Sequence, residues 1–263
     1  MFPGFTVFGK FIGSYGICAV IGIFVGCPLA IHAYKKRTGD DISLIFVFLF
    51  ASIGVFIGMH LLFGITNIDL WGTLFYADNF MDFINRFVSI FGGSVFYGGL
   101  IGGLIAGGIS IKVQRLPTDV AVDCCTLAIP LFHGFARIGC FLGGCCYGVP
   151  WEHGITYTHS LVESANNVPR VPVQLFESGF NFLLAALLFL LLTKQKLRGK
   201  LLPLYLLIYP AGRFILEFWR GDEYRGFIGA LSTSQFISVI LFAASAVYLI
   251  FKTFFTKSKP TVR

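Results

Sequence analysis

Charge is what this chain has least of. Only 13% of its 263 residues are Asp, Glu, Lys or Arg, whereas 56% are hydrophobic. So few charges could not cover a soluble domain, and the excess apolar surface must face lipid. Period-two alternation is missing from the long apolar runs, which argues against a transmembrane barrel. No small-residue cleavage site follows a short apolar core near the start, so no cleaved signal peptide is read. Low-complexity tracts are absent. No inverted repeat of two halves is visible, which weighs against a transporter. Seven cysteines are present but never in Cys-x-x-Cys spacing, so a zinc centre has little support from the sequence.

What the chain does have is apolar length. Seven runs of about 20 residues are long enough to cross a bilayer as helix. They lie at Phe11–Ala33, Ile42–Gly64, Gly92–Ile111, Val120–Leu142, Leu175–Leu192, Leu201–Trp219 and Ser232–Phe251. The expected fold is an all-α integral membrane protein of about seven transmembrane helices, forming one polytopic domain over residues 1–263. Basic residues give it a direction. "KKR" (35–37), Lys112 with Arg115, and "KQKLRGK" (194–200) follow the first, third and fifth runs, and the tail adds Lys252, Lys257, Lys259 and Arg263. These are 13 of the 20 basic residues, and that side is read as cytoplasmic. The N-terminus is then outside and the C-terminus inside. Topology accounts for most of the net charge of +7, and no nucleic-acid partner is needed to explain it. Two connections on the outer side are long. Residues 65–91 interleave apolar residues with Asp69, Asp78 and Asp82, which suits an interfacial segment with Trp71 and Tyr76 at headgroup depth. Residues 143–173 are polar enough for an outer loop or cap.

Seven basic residues fall outside the cytoplasmic set: Lys10, Arg86, Arg137, Arg170, Arg213, Arg220 and Arg225. Charge at membrane depth is costly and persists where it is paired or used. Arg213, Glu217 and Arg220 follow i, i+4, i+7, so a continuous helix puts them on one face with net positive charge. Such a stripe is either a buried ion pair with Arg220 snorkelling, or a site for a lipid phosphate that matches the guanidinium fork. His133, Arg137, Cys140 and Gly144 also share a helical face, with the glycine leaving room for something bulky. Arg137 there serves either loop carbonyls or a ligand, and Glu177 or Glu217 are candidate partners in both cases. The glycine series "YGGLIGGLIAGG" (97–108) is above all a close-packing pattern for membrane helices. Cys18, Cys27, Cys124 and Cys125 read as small packing residues. Cys140, Cys145 and Cys146 cluster near the outer side. A disulfide between Cys140 and either of the others suits an oxidising compartment, and a nucleophilic role needs a depressed thiol pKa, for which Arg137 is a candidate neighbour.

Taken in order, several stretches resemble the prolipoprotein diacylglyceryl transferases of bacterial membranes over nearly the full chain. "YGGLIGG" (97–103) is similar to the family's His-Gly-Gly-Leu segment, and "ARIGCFLGGCCYG" (136–148) resembles its Gly-Arg-Ile-Gly-Asn-Phe signature. "VPVQLFES" (171–178) is similar to His-Pro-x-Gln-Leu-Tyr-Glu. "GRFILEFWRGD" (212–222), followed by "LSTSQFIS" (231–238), resembles Arg-Phe-x-x-Glu-Phe-x-Arg, and "SYG" (14–16) matches an aromatic-Tyr-Gly in the first span.

That resemblance implies an enzyme of the bacterial cytoplasmic membrane. It would move a diacylglyceryl group from phosphatidylglycerol to the cysteine thiol of a lipoprotein precursor bearing a lipobox, and release glycerol phosphate. It implies no cofactor and no metal. Arg137 and Arg213 match the signature arginines, one to bind the donor phosphate and the other to stabilise the departing one, and Glu217 matches the downstream glutamate. Tyr97 and His133 complete the catalytic candidates. Gly98, Gly99, Tyr15, Cys140, Gln174, Glu177 and Arg220 are the further substrate-binding candidates. The chain departs from the family pattern at Tyr97, where the family has histidine, at Cys140 and Gly143 for two asparagines, and at Cys145 for an acidic residue. Those exchanges leave two other readings: a phospholipid-dependent transferase with another acceptor that uses Cys140, Cys145 or Cys146, and a transporter of an anionic small molecule or lipid.

Overall fold

Apolar length decides most of the architecture. The computed structural model describes residues 1–40, 42–222 and 226–255; Arg225, Lys257, Lys259 and Arg263 of the charge count lie outside the described residues. The chain opens with a hairpin of β1 (Gly4–Val7) and β2 (Lys10–Gly13), then enters α1 (Ser14–Thr38) and α2 (Ile42–Thr66). A 3₁₀ segment (Ile68–Tyr76) and α3 (Phe80–Phe91) precede α4 (Phe96–Val113) and α5 (Thr118–Gly143). Two short strands, β3 (Pro150–Thr156) and β4 (Pro169–Arg170), separate α5 from α6 (Val173–Thr193). After it come α7 (Leu201–Leu216), a 3₁₀ turn (Glu217–Trp219), the hairpin of β5 (Phe227–Ile228) and β6 (Leu231–Ser232), and α8 (Thr233–Phe255).

Among the described residues, six helices are long and apolar enough to cross a membrane, and the apolar helix Tyr97–Val113 is shorter. At 18 residues α4 spans about 27 Å. α2 shows the solvent the fold is built for. Among its residues only Leu44, Val47 and Gly64 are buried, and Phe46, Phe50 and Phe56 project outward, a cost no water-facing helix would tolerate. The first apolar run differs from expectation at its start. Phe11 to Gly13 pair with residues 4–6 across a two-residue turn, Phe8–Gly9, in which both residues have positive φ. That is the backbone twist a tight hairpin needs, so the helix begins only at Ser14.

The chain divides into two units. One comprises residues 34–121. Within it α2 and α4 approach through glycine: a Cβ on Gly58 would strike the Gly98 carbonyl, and one on Gly54 the Gly102 carbonyl. The small residues of both helices therefore remove the space that side chains would hold open. Gly102→Val is expected to lower stability by about 1–3 kcal/mol through overpacking against Gly54, read as a lower unfolding temperature in detergent. An unchanged value would mean these helices do not touch. Further along, Asn79 caps α3 by accepting the Asp82 N–H at 2.9 Å, and Asp82 pairs with Arg86 at 2.8 Å one turn on. Trp71 donates its indole N–H to the Gly64 carbonyl.

The other unit comprises residues 1–33 and 122–263. In it α1 runs antiparallel to α5, with Gly22 against Phe132, Gly26 against Ala128 and Gly139 against Tyr15. Asp123, buried on α5, accepts the backbone N–H groups of Gly199 and Leu201, and Lys252 donates to the Gly199 carbonyl at 2.6 Å. The basic connection after α6 is thus tied to two helices. At the far end of α5, the segment carrying β3 and β4 folds over buried Tyr147 and Tyr157. Arg170 stacks on the Tyr147 ring at 4.4 Å and donates to the Ser164 carbonyl. Tyr157 donates to Gln174, which donates in turn to the Cys145 carbonyl at 2.7 Å, so this segment locks the end of α5 to the start of α6.

Candidate active site

Three helices of this second unit converge on one carboxylate. Glu177, on the second turn of α6, has 1% of its side chain exposed. Arg137 of α5 pairs with it through Nε at 3.0 Å, and Arg213 of α7 through Nη1 at 3.3 Å. The phenol of Tyr209, one turn before Arg213, donates to it at 3.0 Å. Without Glu177 two buried guanidinium groups would face each other, so this residue is the hub of the cluster and not a peripheral support. Arg213 has a second carboxylate as well. Its Nη2 lies 2.6 Å from Glu217, the i, i+4 neighbour that helix periodicity predicted, and also donates to Ser234 of α8.

The two arginines are therefore unequal. Arg213 is divided between two carboxylates with 10% of its side chain exposed, whereas Arg137 shares a single carboxylate and keeps 17% exposed. Only Nε of Arg137 is spent on Glu177. Its Nη1 points to the Cys140 sulfur at 3.9 Å, a long contact, and Nη2 has no hydrogen-bond partner among the described residues.

Two expectations from helical spacing do not hold. Arg220 does not share a face with Arg213 and Glu217, because α7 tightens into a 3₁₀ turn at Glu217 and Arg220 is already extended (φ −74°, ψ 135°). A backbone bridge from Gly148 to Arg220 holds it there. Its guanidinium pairs with Asp222 at 2.6 and 2.7 Å, which cancels the net positive stripe. Burial works against the Arg220 charge, yet this bidentate bond keeps its pKa above the ordinary value. Gly144 likewise does not continue the face of His133, Arg137 and Cys140. The helix stops at Gly143, Gly144 takes φ +74°, and the Ser160 side chain fills the space beside it.

His133 sits one turn before Arg137 with its ring 5.2 Å from that of Tyr209, and its buried Nδ1 has no hydrogen-bond partner among the described residues. Gln174 bridges Tyr157 to the Cys145 carbonyl, away from the carboxylates. Tyr15 is half exposed, and its backbone lies against Gly139 on α5. Cys140, Cys145 and Cys146 bring their sulfurs within 4.8 Å of one another. Cys146 is held below the ordinary thiol range by hydrogen bonds from Cys140 and Cys145 and by the cations Arg220 and Arg137. Tyr97, Gly98 and Gly99 belong to the other unit. There Gly98 packs on Gly58 and Gly99 on Val55, and Tyr97 is exposed. Sequence reasoning missed Tyr209, Ser234 and Asp222. The first shares a helical face with Arg213 and could have been found by the same i, i+4 count. Nothing local marks Ser234, which α8 supplies across a packed interface.

Comparison with known proteins gives the chain a family. The family described as prolipoprotein diacylglyceryl transferase matches residues 4–251, a span that includes every residue of this cluster. The chain belongs to this family. Phosphatidylglycerol–prolipoprotein diacylglyceryl transferase of Clostridium tetani is 35% identical over 237 residues, covering 89% of this chain and 91% of its own. A second such enzyme, from Clostridium perfringens, is 35% identical over 242 residues, with 89% of each chain covered. The Campylobacter jejuni enzyme is 32% identical over 263 residues, covering 94% of this chain and 92% of its own. This member of the family is a multi-pass membrane protein.

Proposed function

We propose that this chain transfers the diacylglyceryl group of phosphatidylglycerol to the cysteine thiol of a lipoprotein precursor in the bacterial cytoplasmic membrane, releasing glycerol phosphate. Membership of the family supports the reaction. The observation that carries the site is the arrangement of Arg137, anchored through Nε on Glu177 while its two terminal nitrogens make only the long contact to the Cys140 sulfur.

In this reading the donor phosphate docks on the free edge of Arg137, where two parallel N–H groups match two phosphate oxygens. The precursor's sulfur attacks the glycerol carbon that carries the phosphate ester. A carbon–sulfur bond forms, the carbon–oxygen bond to phosphate breaks, and the electron pair stays on the phosphate oxygen. Negative charge grows on that leaving group as the bond lengthens, which is where a preorganised cation lowers the barrier. Arg213, held by Glu177 and Glu217, positions the carboxylate that orients Arg137 and adds positive potential behind it. The proton of the thiol passes to His133, whose Nδ1 has no hydrogen-bond partner among the described residues.

The same reading puts the N-terminus outside and the C-terminus in the cytoplasm, in accord with Lys35, Lys36 and Arg37 ending α1. Residues 65–91 then lie along the outer interface and residues 143–173 cap the outer end of the site.

Incubating the purified protein with phosphatidylglycerol labelled in its glycerol headgroup and a lipobox peptide tests this. Mass analysis should find a diacylglyceryl thioether on the peptide and labelled glycerol phosphate free in solution. Headgroup release without peptide modification would leave the lipid site and remove the thiol acceptor. No turnover of either substrate by a folded protein would remove the reaction.

A further inference from the structure

The transferase reading leaves three thiols unused, and the fold itself gathers them. α5 ends in a left-handed glycine cap: the Gly144 N–H bonds the Phe141 carbonyl at 3.1 Å and the Cys145 N–H bonds the Cys140 carbonyl at 3.1 Å. That pair of bonds normally packs an apolar residue at the sixth position against one at the first. Here both positions are cysteine. Cys146 follows in a left-handed conformation, φ +58°, which a residue with a side chain adopts only at some cost. Cys146 thereby turns back toward the other two, so that all three sulfurs lie within 4.8 Å of one another. Cys140 is buried, and Cys145 and Cys146 are partly exposed, so the group is open on one side.

We propose that Cys140, Cys145 and Cys146 form a binding site for one thiophilic d¹⁰ cation, Zn²⁺ in the first instance, with the fourth coordination position open to solvent. The ligand set is soft, which selects zinc or cuprous ion over magnesium or calcium. Metal–sulfur bonds of about 2.3 Å place three sulfurs roughly 4 Å apart around one ion. A side-chain rotation of under ~1 Å from the observed spacing closes the site. Three thiolates around Zn²⁺ leave one excess negative charge. Arg137, 3.9 Å from the Cys140 sulfur, and Arg220, within electrostatic reach of Cys146, are placed to balance it. Occupancy would clamp the end of α5 to the segment that follows and would draw the Cys140 sulfur away from Arg137.

Cobalt titration of the full-length, reduced, metal-stripped protein in detergent tests the site. One equivalent of Co²⁺ should give the ultraviolet thiolate-to-cobalt charge-transfer band, displaced by one equivalent of Zn²⁺. Cys145→Ser should weaken binding at least tenfold, and Cys145→His, which keeps a ligand, should bind with a weaker charge-transfer band. Cys27→Ser and Cys125→Ser should change nothing. Where the serine variant fails to fold, zinc-edge X-ray absorption of the unaltered protein decides, and three sulfur neighbours are expected. The proposal is overturned if seven free thiols titrate in a protein that shows no cobalt–thiolate band. It is also overturned by a band that survives replacement of all three cysteines, or by a disulfide among them that persists after reduction.

Discussion

Glu177→Ala should cost the protein about 3–5 kcal/mol and lower its unfolding temperature in detergent by on the order of 10 °C. The size follows from what is left behind. Arg137 and Arg213 both lean on this one carboxylate at 3.0 and 3.3 Å, and Tyr209 donates to it. Removing it strands one guanidinium entirely, because Arg213 still has Glu217 whereas Arg137 has no other carboxylate within ion-pair distance among the described residues. Breaking a buried pair costs far more than the pair contributes when intact, since the survivor stays desolvated and uncompensated. Two controls separate this account from simple loss of packing. Glu177→Gln keeps the shape and an acceptor for Tyr209 but not the charge, and should lose most of the same stability. Adding Arg137→Leu to Glu177→Ala should recover part of the loss, which a cavity could not explain. Strictly additive destabilisation by the two changes would show that Glu177 is not the counter-ion of Arg137.

How much of this was legible beforehand depends on how far apart the partners lie in sequence. The helices were, because a span needs only local apolar length; each expected run became a helix with ends shifted by a few residues. Glu217 beside Arg213 was legible for the same reason, one turn apart on one helix. Glu177 was named but underrated, since its weight comes from two arginines 40 and 36 residues away on other helices. Arg220 misled because helical spacing assumed a continuous helix. The 3₁₀ turn and the bridge to Gly148 depend on a strand segment that no local pattern announces. That the three thiols cluster was legible, but the geometry that joins them was not, for an instructive reason. Metal-binding cysteines are sought three positions apart, whereas here a glycine cap joins positions five apart and a left-handed residue adds the third. "CFLGGCC" contains the double glycine that ends a helix, and that cap is what brings the three sulfurs together.

Arg137→Lys is the second large effect, and its value lies in what it should leave alone. Lysine keeps one positive charge that can still meet Glu177, so stability should stay within about 1 kcal/mol of the parent. It cannot do two things at once. The guanidinium spends Nε on Glu177 and still presents the rest of its fork, whereas a single ammonium that pairs with Glu177 has no second face to offer a phosphate. Transfer should therefore fall by roughly 10²–10³-fold, the usual loss when one preorganised donor to a developing anion is removed. The fall should appear chiefly in kcat, because charge on the phosphate grows as the carbon–oxygen bond breaks. Arg213→Lys provides the contrast. Both terminal nitrogens of Arg213 are committed to Glu177, Glu217 and Ser234, so lysine there should lose stability before it loses chemistry. If Arg137→Lys transfers lipid at near-parental rates while Arg213→Lys is folded and inactive, the donor phosphate sits on Arg213. The open fork of Arg137 would then be the consequence of its neighbours and not the seat of the reaction.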